Sequence, residues 1–163
     1  MIKIGLLSDT HGHIDEKMLN FLNPVNEIWH AGDIGDINVL DELKGLKKIR
    51  AVYGNIDNQV VRIELPEISI FTVENVKVIL THIGGYPKSY TPEIKKLLIA
   101  EKPQLFISGH SHILRVIYDN NLECLHINPG AAGIQGFHKV RTMVRFSIDD
   151  TKIKDLEIWE YKR

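Results

Sequence analysis

The chain has 163 residues, which is the length of one domain with a single sizeable core. Its apolar fraction of 44% and charged fraction of 25% exclude a disordered or fibrous protein. Its net charge of −1 gives no reason to expect nucleic acid or a membrane surface as a partner.

Cysteine usage and the apolar runs bear on the compartment. Cys124 is the only cysteine, so no intramolecular disulfide can form and a reducing compartment is favoured. The apolar run at the N-terminus ends at Asp9, which is too short for a secretory signal. No apolar stretch approaches the roughly 20 residues that span a bilayer. We therefore expect a cytoplasmic protein without membrane contact, and the sequence leaves a homo-oligomer open.

The first half of the chain alternates predicted strands and helices. Short apolar runs bounded by glycine and aspartate indicate strands, and apolar residues at helical spacing indicate helices. Asp15 is expected to cap the first helix and Gly45 to stop the second. The strands are predicted over Ile2–Leu7, Glu27–Ala31 and Ile49–Tyr53, and the helices over Asp15–Leu22 and Asn38–Leu43.

The second half is richer in strands. A hairpin is predicted around Asn75, and a proline in the first turn marks one helix. The predicted strands are Ser69–Glu74, Val76–Thr81, Leu105–Ser108, Leu114–Tyr118, Leu122–Ile127, Thr142–Ile148 and Ile153–Trp159, and the helix is Pro92–Ala100. Without repeats or linkers, the pattern predicts a single α/β domain over residues 1–163. Its two mixed β-sheets would pack as a sandwich with flanking helices, a four-layer αββα arrangement.

Side chains that bind metals follow the ends of predicted strands, usually beside a glycine. In α/β sheets, ligands bind outside the carboxyl ends of the strands, so loops at one edge would bring these side chains together. The seven residues are Asp9, His11, Asp33, Asn55, His82, His110 and His112. Four imidazoles, two carboxylates and one amide suit Mn²⁺, Fe, Co²⁺, Ni²⁺ or Zn²⁺ better than an all-oxygen Ca²⁺ or Mg²⁺ site. Seven ligands exceed what one tetrahedral ion takes, so two ions are expected.

The same residues form a series of short motifs in a recognisable order. The series Asp9-Thr10-His11, Gly32-Asp33, Gly54-Asn55-Ile56-Asp57, Thr81-His82 and Gly109-His110-Ser111-His112 resembles the calcineurin-like metallophosphoesterase superfamily. Asn128-Pro129-Gly130 resembles its small single-domain branch, the YfcE-type phosphodiesterases. Each motif alone is common, but five of them in family order, each at a strand end, form a specific pattern.

The resemblance implies a dinuclear site. The first metal would be held by Asp9, His11, Asp33 and His112, and the second by Asp33, Asn55, His82 and His110. Asp33 would bridge the two ions, Mn²⁺ is the favoured metal, and Asp33, Asn55 and His110 would also serve catalysis. The expected activity is hydrolysis of a small phosphate ester, most simply a diester, by in-line attack of a metal-activated hydroxide.

The sequence departs from the expected pattern after Thr81-His82, where Ile83-Gly84 replaces the Gly-His common in the branch, and at position 56. Many members carry a histidine after the Gly-Asn pair, where it is thought to protonate the leaving alkoxide, and here that position is Ile56. The YfcE-type branch commonly lacks this histidine, so the departure points to the branch. General-acid help is typically worth about 10²–10⁴-fold in rate, so a preference for good leaving groups is expected. His13 and His138 are weak candidates for a replacement acid.

Other polar residues have both functional and structural interpretations. His13, His138 and Arg141 are candidates for binding a substrate phosphate, although basic loop residues are more often only solvated. His30 and His126 lie within strands and are expected to be structural, with His30 orienting Asp33. The sequence predicts that Asp57 caps a turn or orients a ligand, and that Cys124 is a small buried hydrophobe.

Three alternatives remain at this stage. A phosphomonoesterase would use the same site. A non-catalytic protein-interaction scaffold occurs on the same fold in a branch that has lost metal ligands, whereas this chain keeps all seven. A nucleic-acid-binding nuclease subunit is disfavoured by the neutral charge and the lack of a basic, aromatic-rich stripe.

Overall fold

The computed structural model describes residues 1–163 as ten strands and four helices. The strands are β1 (Ile2–Leu7), β2 (Glu27–His30), β3 (Lys48–Ala51), β4 (Ile68–Val73), β5 (Val76–Thr81), β6 (Leu105–Ile107), β7 (Leu114–Asp119), β8 (Cys124–Pro129), β9 (Val140–Asp149) and β10 (Lys152–Lys162). The helices are α1 (Glu16–Leu22), α2 (Ile37–Leu46), α3 (Gln59–Glu64) and α4 (Pro92–Glu101).

The strands form two five-stranded mixed sheets, as the sequence predicts. The first sheet has the order β10-β9-β1-β2-β3, in which β1, β2 and β3 are parallel and β9 and β10 pair antiparallel. The second has the order β4-β5-β6-β8-β7, with β5, β6 and β8 parallel and antiparallel strands at both edges. Each sheet therefore has a parallel centre whose strands end at a common edge.

Three apolar clusters hold the layers together. The largest lies between the sheets and includes Trp29 and Phe146 of the first sheet with Ile107 of the second, all fully buried. A second cluster packs α1 and α2 on the outer face of the first sheet, and a third packs α4 on the outer face of the second. The predicted four-layer αββα arrangement is confirmed.

Element ends differ from the prediction in several places. Asp15 caps α1 by accepting a hydrogen bond from the Met18 N–H, as predicted. Gly45 does not stop α2, since the helix runs to Leu46 and the Lys47 N–H donates to the Leu43 carbonyl. The six-residue helix α3 was missed, because six residues carry too little periodicity for prediction.

The strand β8 begins at Cys124 rather than at Leu122. Asp119 explains the shift, because its carboxylate accepts hydrogen bonds from the backbone N–H groups of Asn121 and Leu122 and holds them in a turn. Cys124 is buried, as the sequence predicts.

Candidate metal centre

All seven predicted ligands lie in loops at one edge of the sandwich. The loops follow β1, β2 and β3 in the first sheet and β5 and β6 in the second. Backbone hydrogen bonds join the loops: the Asp9 N–H donates to the Gly32 carbonyl at 2.9 Å, and the Gly109 N–H donates to the His82 carbonyl at 2.9 Å. The carboxyl ends of parallel strands thus gather the predicted side chains at the edge shared by both sheets.

Five of the seven residues have left-handed backbone conformations. The φ angles are 55° at Asp9, 45° at His11, 54° at Asp33, 70° at His110 and 61° at His112. Non-glycine residues in this region cost of order 1–3 kcal/mol each and concentrate at functional sites. The chain therefore accepts backbone strain in order to direct these side chains toward one point.

The first ligand group consists of Asp9, His11 and His112, whose ligand atoms all lie within 4.8 Å of one another. The His112 Nε2 is 3.1 Å and the His11 Nε2 is 3.8 Å from Asp9 Oδ1. The other carboxylate oxygen, Asp9 Oδ2, accepts hydrogen bonds from Ser8 Oγ at 2.7 Å and the His110 N–H at 3.1 Å. These bonds fix the carboxylate so that Oδ1 faces the imidazoles.

The second ligand group consists of Asp33, His82 and His110, again within 4.8 Å. Asn55 joins it, because its Oδ1 is 3.0 Å from the His82 Nε2. The His82 Nδ1–H donates to the Ala31 carbonyl at 2.7 Å, so the Nε2 faces the group. A side chain at Gly54 would come within 2.0 Å of Asp33 Oδ1, so this close approach requires glycine.

Asp33 lies between the two groups. Its Oδ2 is 3.5 Å from the His11 Nε2 of the first group and 3.2 Å from the His82 Nε2 of the second. The backbone N–H of Ile56 donates to its Oδ1 at 3.1 Å. One carboxylate therefore contacts imidazoles from both groups, which is the position that a bridging ligand needs.

The carboxylates are held in their charged form. Burial opposes ionisation of Asp9, but contacts with His11 and His112 outweigh it and hold the pKa of Asp9 well below its ordinary value. Burial also opposes ionisation of Asp33, and the adjacent His82 outweighs it and lowers the pKa of Asp33. Two buried carboxylates that remain charged provide a strong attraction for cations.

The pKa values of two imidazoles, those of His11 and His82, are shifted upward. Contact with Asp9 raises the pKa of His11 against burial, and burial of His82 is outweighed by Asp33 and Asp9, which raise its pKa. The carboxylates therefore favour the positively charged form of these two imidazoles. The buried atoms Asp9 Oδ1 and His11 Nε2 still have no hydrogen-bond partner. Charged carboxylates and a buried imidazole nitrogen without a protein partner are suited to binding divalent metal ions.

His138 lies directly behind the first group. Its Nε2 is 2.8 Å from the Gly133 carbonyl and must donate, which leaves its Nδ1 as an acceptor 3.2 Å from the His112 Nδ1. The His112 Nδ1–H then donates to His138, and the His112 Nε2 faces Asp9. His138 therefore selects the tautomer of His112, as outer partners of metal-binding histidines commonly do. Both nitrogens of His138 are used in this way.

A cavity of about 510 Å³ opens over the two groups. His11, Asp33, Asn55, His110, His112 and His138 line it, together with the exposed apolar residues Ile56, Ile113 and Phe137. Ile56 lies at the cavity rim and offers no proton. The cavity thus combines a charged floor with an apolar rim.

His13 and Arg141 do not line this cavity, which departs from the substrate-binding role considered for them. The Arg141 guanidinium is buried and donates to the Ala132 carbonyl and to Asp15 Oδ2, each at 2.8 Å. The same Asp15 oxygen lies 2.8 Å from the His13 Nε2. This cluster ties the β9 strand to the N-terminal cap of α1.

Two buried residues support the ligand loops. His30 accepts a hydrogen bond from the Gly32 N–H at 3.1 Å, and its Nε2 is 3.0 Å from Thr10 Oγ1, so it is the hydrogen-bonded interior histidine that was expected. It holds the residue before Asp33 rather than Asp33 itself. Asp57 accepts from the N–H groups of Gly54, Ile34 and Gly35 and so joins two ligand loops besides capping a turn.

The fold and the site together define a metal-dependent hydrolase. Residues 2–151 match the calcineurin-like phosphoesterase superfamily domain. A probable metallophosphoesterase of Methanothermobacter thermautotrophicus is 33% identical over 162 residues, which cover 95% of this chain and 90% of the relative. A phosphodiesterase of Methanocaldococcus jannaschii is 27% identical over 145 residues, which cover 79% and 83%. The chain belongs to the calcineurin-like phosphoesterase superfamily.

Solved structures share the fold. An archaeal phosphodiesterase superposes with a TM-score of 0.79 at 21% identity, over 97% of this chain and 100% of the other. Vps29 of Entamoeba histolytica, crystallised in complex with zinc, superposes with a TM-score of 0.76 at 18% identity over 99% of both chains. No helix of this chain has the length and apolar character needed to cross a membrane.

Proposed function

We propose that this protein is a phosphodiesterase that holds two divalent metal ions, one at each ligand group. The observation that carries the proposal is the position of Asp33 Oδ2 within 3.5 Å of imidazoles from both groups. The relative named as a phosphodiesterase supports the substrate class. The mixed nitrogen and oxygen ligands favour Mn²⁺, with Ni²⁺, Co²⁺, Fe and Zn²⁺ as alternatives.

The residues of the site would have different roles in hydrolysis. Bound divalent ions would supply positive charge for the phosphoryl oxygens and lower the pKa of a water molecule. Asp9 and Asp33 provide the charge that holds them, while Asn55, His82 and His110 complete the second group. The apolar residues around the cavity would contact the ester substituents of the substrate.

The apolar rim suits a substrate with two ester groups. Ile56, Ile113 and Phe137 are exposed around the cavity and would exclude water from an aryl or alkyl substituent. A monoester would leave part of this surface uncovered. We therefore favour a small phosphodiester as the substrate of this single-domain protein. We also propose that the protein acts in the cytoplasm, as its single cysteine suggests.

Metal removal and restoration tests the proposal. Protein stripped with a chelator should lose turnover of bis(4-nitrophenyl) phosphate, and Mn²⁺ should restore it with two ions per chain. The monoester 4-nitrophenyl phosphate should be the poorer substrate. A faster monoester reaction would indicate a phosphomonoesterase. Absence of turnover with every candidate metal would favour a non-catalytic protein-interaction scaffold.

Ile56 allows a second test of the mechanism. Because it cannot donate a proton, log kcat/KM for a series of aryl phosphodiesters should fall steeply as the pKa of the leaving group rises. The variant Ile56→His should flatten this dependence, mainly for poor leaving groups. Ile113→His, on the same rim, is the matched control and should keep the steep slope. A shallow slope in the natural protein would mean that another residue is the acid.

A further inference from the structure

A second, smaller cavity of about 250 Å³ lies beside the metal centre, and we call it the Arg115 pocket. His110 and Ser111 line both cavities and form their common wall. Tyr86, Arg115 and His126 also line the pocket. The two spaces are neighbours, so a substituent of a molecule held at the ligand groups has this pocket beside it.

Arg115 brings an uncompensated positive charge to this pocket. It forms no salt bridge, and its Nε is buried without a hydrogen-bond partner. Its guanidinium carbon lies 3.9 Å from the centre of the Tyr86 ring, which holds the group in place. A guanidinium prefers carboxylate or phosphate oxygens, and this one has none from the chain itself.

His126 is the second unsatisfied group. It is fully buried in the middle of β8, and neither ring nitrogen has a hydrogen-bond partner. The ring stacks on Phe106 with 5.2 Å between centroids. Burial, opposed by the Phe106 backbone and aided by the charge of Arg115, lowers the pKa of His126 to about 4. The ring is therefore neutral at pH 7 and offers one donor and one acceptor.

Unpaired polar groups are unfavourable in a protein interior, so two of them on one pocket indicate a partner from outside the chain. The positive charge of Arg115 selects an anion. We propose that the Arg115 pocket binds an anionic oxygen group carried on one ester substituent of the substrate, while the ligand groups hold the phosphodiester itself. This assignment rests on the proposed phosphodiesterase function and narrows it to diesters with a second negative charge.

Two substrates matched in shape test the assignment on the metal-loaded full chain. One is a 4-nitrophenyl phosphodiester with a 3-carboxypropyl group, and the other carries the neutral 3-carbamoylpropyl group. The natural protein should show about tenfold lower KM for the carboxylate, the effect of one charge-assisted hydrogen bond. Arg115→Gln should abolish the difference between the substrates, and Arg115→Lys should keep part of it.

Lys96→Gln is the charge-matched control. Lys96 is exposed on α4 and belongs to no site, so its loss should leave the preference at about tenfold. Equal KM values for both substrates in the natural protein would overturn the assignment while turnover itself upholds the phosphodiesterase.

If no diester is turned over, a binding measurement tests the anion pocket independently of the proposed phosphodiesterase function. Glutarate and inorganic phosphate are titrated into metal-stripped protein while the ring signals of His126 are followed by NMR. Saturable shifts with glutarate that vanish in Arg115→Gln support the anion pocket even if the enzymatic proposal fails. Shifts with phosphate alone would assign the pocket to a free inorganic anion, and no shifts would mean that water fills it; both outcomes overturn the assignment.

Discussion

The two ligand groups of the candidate metal centre are held in different ways. In the second group the ring of His82 is fixed by a backbone carbonyl, that of Ala31. In the first group the ring of His112 is fixed by another side chain, His138, which is itself held by the Gly133 carbonyl. A backbone partner persists through any substitution at its own position, whereas a side-chain partner is lost with one mutation. The first group is therefore the one that a distant substitution can loosen.

The groups also differ in their surroundings. Asp9 is fully buried and donors from two loops hold its outer oxygen, whereas His110 of the second group is exposed. We expect the first ion to exchange more slowly than the second in the intact protein. Asp33 is the only carboxylate that contacts imidazoles of both groups within 3.5 Å.

The largest effect is expected from Asp33→Asn. Loss of the shared carboxylate charge should weaken both ions, so turnover of a diester should fall by more than about 100-fold, beyond the 10–100-fold typical of outer partners. Metal analysis should show fewer than two ions per chain, with the fold preserved. Asp41→Asn, at an exposed position on α2, is the control and should change neither quantity. Full turnover with two bound ions in Asp33→Asn would refute the bridge.

A smaller effect, confined to one ion, is expected from His138→Phe. Without its acceptor the His112 ring can adopt the other tautomer, so affinity for one ion should fall about 10–100-fold while the other ion keeps its affinity. Calorimetric titration of metal-stripped protein should resolve the two steps. His138→Gln retains a side-chain acceptor and should recover part of the loss. Equal weakening of both ions, or of neither, would contradict the different support of the two groups.

Much of the candidate metal centre was predictable because its signals are local in sequence. Each ligand follows a short apolar run beside a glycine, and parallel strands bring such ends together. The seven residues do converge, although their occupation by metal stays a prediction. The role of His138 was missed, since its contact with His112 spans 26 positions and leaves no local pattern. The left-handed backbone at Asp9 and Asp33 has only a weak sequence signal, since aspartate adopts this conformation more readily than most residues but far less readily than glycine.

The fold likewise has features that local sequence patterns predict and features that depend on contacts distant in sequence. Strand order and layers follow from apolar runs, but Arg141 looked like a free loop cation and is instead buried against Asp15, far along the chain. Helix α3 had one usable signal, Asn58, whose side chain accepts the Val61 N–H as an N-cap. The Arg115 pocket had none, because β7 and β8 must pair before Arg115 and His126 meet.

Asp57→Asn should affect stability more than chemistry. The Asp57 carboxylate accepts three backbone N–H groups from the loops that carry Asp33 and Asn55. An amide nitrogen would face at least one of these donors, so the free energy of unfolding should drop by about 1–3 kcal/mol. Urea unfolding of the metal-stripped protein gives the value, with Asp41→Asn again as control. A loss of metal affinity that is larger at the second group than at the first would support this role of Asp57. Unchanged stability would exclude the role of Asp57 in holding the two loops together.

The smallest effect concerns buried histidines outside the ligand groups. Burial lowers the pKa of His30 and of His126 to about 4, below the unfolded value near 6.5. Between these values the unfolded chain binds more protons, so these two residues make stability fall as pH drops from about 6.5 toward 4.

His11 and His82 act in the opposite sense in metal-stripped protein. Their raised pKa values add stability below about 6.5, and that contribution is lost as pH rises through the raised values. The net slope of stability against pH therefore depends on which set prevails, and removing one buried histidine isolates its share. His126→Gln should reduce the loss of stability on acidification by about 1 kcal/mol per pH unit near pH 5.5. Urea midpoints of both proteins between pH 5 and 7, with chelator present, measure the difference, and parallel curves would show that His126 keeps an ordinary proton affinity.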